Sequence, residues 1–413
     1  MTQAAVVGEA SASAVFACSQ CGQCCSVWQV FVDKARSDAL LAQPWVYDRL
    51  ATLGLAFEPA GQQGAFLPLK PDLTCAFFEN DSGCLIHQRM GADAKPIDCQ
   101  RFPFAAVRLP QGTLTYDVSA ACTTIVSQHL PTHTQVVPQG TEAQASATFS
   151  QHAQQLSMMG TPAPEFPQRV TLWPWPLSWM VRLVGGVLRL PSNLPYATFE
   201  ERRLGLLTWL YTDAVSSSFT LQAMLACAWR WMVLGKPLPP RSPSQAGELG
   251  LPAWGLLTAW ALWRDLRTPL GWYQRGEWLR RGGYWDAQLL GEGVVVPWQT
   301  IGQHPWPQAG SHNARAQRRL FVGYVALVLT RRVGLVYGLP WLCQWLLAYR
   351  AVGLVAFYAK VLSMRCDEAE VSVASMQLAI RVVERYYVSH QPRYAAKTEW
   401  DALGLVLALV HKG

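Results

Sequence analysis

Phe16-Ala-Cys18-Ser-Gln-Cys21-Gly-Gln-Cys24-Cys25 places four thiols within eight residues. Cys75, Cys84, Cys99 and Cys122 follow before residue 123, with His87 among them. The gaps Cys18-x2-Cys21-x2-Cys24 let one tight loop present several thiolates to one centre, and Gly22 permits the turn this needs. Ferredoxin-type ligand runs begin with the same two gaps. This chain departs from them at Cys25, where three more residues and a Cys-Pro would stand. Cys25 is expected to point elsewhere, because adjacent side chains diverge.

The second group is spaced Cys75-x8-Cys84-x2-His87-x11-Cys99, with Cys122 beyond. Eight thiols and one imidazole make nine candidate ligands: Cys18, Cys21, Cys24, Cys25, Cys75, Cys84, His87, Cys99 and Cys122. A tetrahedral zinc uses four ligands and a cubane iron–sulfur cluster four cysteines, so the set suffices for one centre with reserve, or for two. Structural disulfides are disfavoured. Met1 to Ala17 lacks the basic and apolar regions of a secretory signal, and a reducing cytoplasm is therefore the expected compartment. Structural zinc remains the main rival to an iron–sulfur centre, since thiolate-rich sites suit both. Cys227, Cys343 and Cys366 sit in apolar helical patterns and read as plain core residues.

Outward from this cluster the chain reads as α+β: a small, loop-rich, metal-stapled cysteine domain followed by a larger all-α domain. Residues 1–15 are expected to be disordered, 16–126 to form the cysteine domain and 127–168 to be a linker. Residues 169–413 form the tryptophan-rich helical domain. In the first domain Val27 to Val32 is rich in strand formers, and Asp33 caps a helix through Leu41. A second helical piece covers Trp45 to Leu53. The turn Glu79 to Gly83 sets two cysteine-bearing arms side by side. A short helix ends near Cys99, and Ala105–Leu109 with Thr113–Val118 makes a hairpin that delivers Cys122. Such a unit has little core of its own and calls for a staple.

The linker is rich in polar and small residues, with a helix expected around Ala143 to Met158. Its histidines, His129, His133 and His152, read as exposed. Beyond it lie 17 of the 19 tryptophans. Helical spacing of apolar residues marks Phe199–Tyr211, Leu221–Leu234, Trp254–Leu266, Arg319–Val333, Pro340–Met364 and Glu370–Val388. An irregular stretch is expected from Gly282 to Ser311. The uncharged apolar runs Val333 to Tyr349, Ala214 to Trp229 and Leu249 to Trp263 all fall short of a membrane span. Membrane association is the lesser reading.

The composition, 51% hydrophobic and 15% charged, allows a large core. Charge is uneven, with 8 Lys+Arg against 11 Asp+Glu through Cys122 and 26 against 16 thereafter. The basic half carries Arg202-Arg203, Arg280-Arg281, Arg318-Arg319 and Arg331-Arg332. These read as helix-end residues answering the dipole rather than as a nucleic-acid surface. Arg101, two residues after Cys99, is placed to hydrogen-bond a thiolate.

Cys18-Ser-Gln-Cys21-Gly-Gln-Cys24-Cys25 resembles the signature of the bacterial cysteine-cluster (CxxCxxCC) proteins described as zinc- or iron-chelating. The blocks Cys84-Leu-Ile-His87-Gln-Arg-Met-Gly91 and Pro96-Ile-Asp-Cys99-Gln-Arg-Phe102-Pro103 are similar to its second half. In length and order the chain resembles the flagellin lysine N-methylase-like members, and Leu378 to Tyr387 is similar to their end. The resemblance is specific over residues 16–122. It implies a protein substrate and S-adenosylmethionine as cofactor. The residues themselves show no Gly-rich loop after a first strand, since Gly291-Glu-Gly293 precedes Val-Val-Val rather than a helix. They also lack the Cys-x3-Cys-x2-Cys spacing of radical adenosylmethionine enzymes, a P-loop, Gly-x-Ser-x-Gly and His-Glu-x-x-His. A non-catalytic binding module with a structural zinc is the alternative reading.

Overall fold

The computed structural model describes residues 14–26, 30–80, 82–133, 136–158, 161–172, 192–211, 221–235 and 303–388. The helix expected at Trp254–Leu266, the pair Arg280-Arg281 and most of the irregular stretch from Gly282 lie outside these residues. So do Val27 to Gln29 and Met1 to Ser13. Contacts divide the chain into two units, Met1–Ile125 with Thr134–Glu165, and Val126–His133 with Phe166–Gly413.

The first unit is built from short strands, short helices and one long helix. Strand β1 (Ala14–Val15) runs parallel to β9 (Val136–Val137), so residues 14 and 15 are ordered rather than frayed. Strands β2 (Phe31–Asp33), β4 (Gly64–Phe66) and β3 (Glu58–Pro59) form an antiparallel sheet in that order. Asp33 ends β2 and caps α1 (Lys34–Leu41) through the Arg36 N–H at 3.0 Å. Helix α2 (Pro44–Leu53) starts on a proline and stops at Gly54, whose φ of +64° makes the left-handed cap. Val32, Leu40, Val46, Leu50, Phe77 and Ile86 close one buried cluster from these pieces, and Cys75 and Cys84 pack on its margin. The unit thus has more core than its loop-rich sequence suggests.

Strands β5 (Phe78–Glu79) and β6 (Gly83–Cys84) pair as expected around their turn, setting Phe78 opposite Cys84. Cys84 leads into α3 (Leu85–Met90), and α4 (Ile97–Arg101) carries Cys99. The hairpin of β7 (Phe104–Arg108) and β8 (Leu114–Val118) then delivers Cys122.

The segment expected as a linker is divided. Val126–His133 belongs with the second unit, where a Cβ built on Gly323 would meet Leu130 O at 2.7 Å. Thr134–Glu165 groups with the first and contains the 17-residue helix α5 (Glu142–Met158). The expectation of exposed histidines fails for His152, which is buried, and for His133, whose ring stacks on Tyr211 at 4.3 Å. Apolar residues within the polar sequence, Phe149 and Leu156, supply the buried face that composition alone obscured.

The second unit is mainly helical: α6 (Tyr196–Trp209), α7 (Leu221–Leu234), α8 (His312–Thr330), the single turn α9 (Val333–Val336), α10 (Trp341–Arg365) and α11 (Val373–Tyr387). It is not purely so, because β10 (Arg169–Thr171) and β11 (Asn193–Pro195) pair antiparallel ahead of α6. Ser311 and Ser372 cap α8 and α11 with their hydroxyls. Carboxylates answer two adjacent arginines: buried Glu384 takes Arg331 and half-buried Glu200 takes Arg332, each at 2.8 Å. These arginines follow the last turn of α8 but answer carboxylates, and Arg202-Arg203 and Arg318-Arg319 lie inside α6 and α8, so the helix-end reading holds for position at 331–332 alone among the described pairs. Arg202 instead donates to the C-terminal carbonyls of α7 at Met232 and Val233. Cys227 is buried as expected. Cys366 is exposed, because α10 stops at Arg365 and leaves it in the closing turn; the side chain of Cys343 lies outside the described residues. No helix among the described residues is long and apolar enough to cross a membrane.

Candidate metal centre

The loop 18–26 is tied on two sides by residues far away in sequence. Toward the hairpin exit, Cys21 Sγ donates to Thr123 Oγ1 at 3.4 Å and Thr124 Oγ1 donates to Ser19 Oγ at 3.0 Å. Toward the first arm, Cys75 N–H donates to Cys25 O at 2.6 Å, and Ser26 bridges Thr74 antiparallel. Gly22 makes this fit possible. Its φ of +68° opens the 3-10 turn Gln23–Cys25, and a Cβ there would overlap the Phe78 ring. Phe78 in turn is paired with Cys84, so the loop is wedged against the arm that carries Cys75 and Cys84.

Within that turn Cys24 and Cys25 do not diverge. Their sulfurs stand 3.9 Å apart. A tetrahedral zinc with bonds of about 2.3 Å has a sulfur–sulfur edge of roughly 3.8 Å, so the pair already has the separation of two ligands of one ion.

Cys24 is the hub of the constellation. Its principal electrostatic neighbours include Cys25, Cys21 and Lys95. Cys75 faces Cys84, Cys24 and Lys70; Cys99 faces Cys75, Cys24, Lys95 and Asp98; Cys122 faces Cys24 and Cys21. The hydrogen bond shared with Cys25, then burial, pushes the Cys24 thiol far above the usual range. Burial first, then neighbouring thiols, pushes Cys75 up to about 12 and Cys122 to about 11, and holds Cys99 well above its ordinary value. Crowded, half-buried thiols do not readily ionise together unless a cation offsets their charge. The donor set is soft and thiol-rich, which fits zinc or an iron–sulfur cluster and suits magnesium or calcium poorly.

Of the nine sequence candidates, seven thiols, Cys21, Cys24, Cys25, Cys75, Cys84, Cys99 and Cys122, therefore lie within electrostatic range of at least one other, and Cys24 and Cys25 are in direct contact. Cys18 is exposed and accepts the Gln20 N–H at 3.4 Å, while His87 is exposed on α3. Neither ranks among the principal neighbours of the buried thiols. Among the described residues, no three histidine, cysteine, aspartate or glutamate side chains stand in a closed metal-binding group.

Sequence reading missed the two cations. Lys95 faces Cys24 and Cys99, and Lys70 faces Cys75 while donating to Phe78 O at 3.2 Å. Both precede a proline, in Lys95-Pro96 and Lys70-Pro71, which fixes the backbone extended where the lysine leaves it. Arg101 does not reach a thiolate as expected; it closes a salt bridge to Asp98 at 2.7 Å. Burial raises the Asp98 carboxyl, but Arg101 and His152 outweigh it and hold it below the usual range.

Comparison with known proteins finds no matching family model, no matching curated protein and no matching solved structure.

Proposed function

We propose that the first unit binds a metal through its thiols, as an iron–sulfur cluster or zinc, and that the chain is a protein-modifying enzyme dependent on that centre. The observation that supports this reading is the 3.9 Å contact of Cys24 with Cys25 in a loop tied to the Cys75 arm and to the residues after Cys122, with Cys75, Cys99 and Cys122 in electrostatic range of Cys24. Cys24, Cys75 and Cys99 are the core ligands in this proposal, with Cys21, Cys25, Cys84 and Cys122 completing the shell. Thiols that stay protonated at neutral pH must release protons when a metal binds, so affinity should fall as pH falls. Lys70 and Lys95 would balance the negative charge of a thiolate centre. Methyl transfer from S-adenosylmethionine to a protein lysine enters through the resemblance of residues 16–122 alone.

Anaerobic purification of the full chain, with metal and acid-labile sulfide analysis and an absorbance spectrum, tests the centre. Iron with sulfide supports the cluster, and stoichiometric zinc supports a zinc centre. A folded chain without either metal overturns the proposal. Incubation with labelled S-adenosylmethionine and candidate proteins tests the enzyme reading. A loaded centre without transfer to any lysine leaves the zinc-stapled binding module in its place.

A further inference from the structure

Helix α5 begins on a reciprocal cap. Thr141 N–H donates to Gln144 Oε1 at 2.8 Å, and Gln144 N–H donates to Thr141 Oγ1 at 3.3 Å. The helix then docks on three elements of its own unit. Arg36 of α1 donates to Gln151 Oε1 at 2.9 Å, and the Arg108 guanidinium of β7 lies 4.7 Å over the Phe149 ring. Gln155 Nε2 donates to Asp98 Oδ2 in α4 at 3.2 Å. Phe149, His152, Gln155 and Leu156 recur at helical spacing and are all buried.

Asp98 immediately precedes Cys99. Its Oδ1 is held by Arg101, from Nε at 2.8 Å and Nη2 at 2.7 Å, and its Oδ2 by Gln155. The carboxylate is therefore fixed from within α4 on one side and from α5 on the other. Five residues are too few for a helix to hold its own orientation, so that of α4 is set from outside. Rotation of α4 about its axis would swing Cys99, which shares that single turn.

We infer that α5 is the positioning element for Cys99, acting through the Gln155–Asp98 hydrogen bond. The inference rests on the proposed role of Cys99 as a ligand. Gln155 is thus a positioning residue, and the segment 134–165 is part of the thiol centre's support rather than a tether between units.

The test uses the full metal-free chain. Alkylation of each cysteine by iodoacetamide is timed by peptide mass spectrometry, and the ligand-field absorbance after cobalt(II) addition is recorded in parallel. Gln155→Met removes the donor to Asp98 at similar size; Gln151→Ala undocks the same helix at Arg36 without touching Asp98. Losing a half-buried hydrogen bond to a charged group should raise Cys99 alkylation about tenfold in Gln155→Met. Cys75 should stay at the parental rate, and the cobalt spectrum should change shape. Gln151→Ala should leave both readouts near parental values. Equal acceleration of Cys75 and Cys99 would show general loosening and overturn the inference, as would equal effects of the two variants or no effect of Gln155→Met. A chain that takes up no cobalt refutes the metal proposal, while the alkylation rates still decide the role of Gln155.

Discussion

Replacing Gly22 with alanine tests whether the cysteine loop is wedged against the Phe78 arm, and Gly54→Ala supplies the control. Both glycines have left-handed backbone, with φ of +68° and +64°. A side chain in that conformation costs about 1–2 kcal/mol at either position. The surroundings differ: nothing lies within 4 Å of a Cβ at Gly54, whereas at Gly22 it would overlap the Phe78 ring. Forcing a methyl group into packed space adds about 1–3 kcal/mol. Gly22→Ala should thus cost about 2–5 kcal/mol, with the excess over Gly54→Ala falling on the loop and on the paired strands 78–79 and 83–84. Amide hydrogen exchange by mass spectrometry reads that excess locally. Peptides covering 18–26 and 74–85 should exchange roughly fivefold to 150-fold faster in Gly22→Ala than in Gly54→Ala, the ratio that about 1–3 kcal/mol implies. Equal exchange in the two variants would refute the wedge.

Three further outcomes follow from the geometry. Burial, then Arg101, lowers the His152 imidazole to about 3, so the folded protein resists a proton that the unfolded chain accepts near 6.5. That contribution is fully present above about 6.5 and is lost at about 1.4 kcal/mol per pH unit as pH falls toward 3; His152→Gln should flatten the acid limb of urea-unfolding stability. Cys24→Ser and Cys99→Ser should abolish stoichiometric metal, while Cys18→Ser and His87→Gln should retain it, as measured by elemental analysis after anaerobic purification. In the second unit, Glu384 is fully buried against Arg331 at 2.8 Å and also accepts from Tyr324 at 3.4 Å. Glu384→Gln strands the Arg331 charge and should cost about 3–5 kcal/mol in calorimetric unfolding, whereas replacing both partners with apolar residues should cost far less.

Local signals carried most of the element boundaries. Asp33 before Lys34, Gly54 after Leu53 and the hairpin around Gly112 act within a few residues, and each element forms where they place it. Residues far apart in sequence were harder to relate. That Cys24 and Cys25 converge depends on a 3-10 turn made possible by Gly22 and wedged by Phe78, 56 positions after it. The roles of Lys95, Asp98 and Gln155 are likewise invisible in composition, since each is an ordinary polar residue until α4 meets α5. His87, at ligand spacing after Cys84, is exposed on α3, which its spacing alone could not foretell.

The ties from residues 19 and 21 to residues 123 and 124 also set an order of events during synthesis. Cys18 to Cys25 leave the ribosome about a hundred residues before their hairpin partners, and the parallel β1–β9 pairing waits longer still. At roughly 5–20 residues per second, the first four thiols stay without their final neighbours for about 5–20 s. Closure of the loop around the first cysteines is therefore a late event, timed by the emergence of the hairpin rather than by the appearance of those cysteines, and the proposed metal would find its full set of thiols only then.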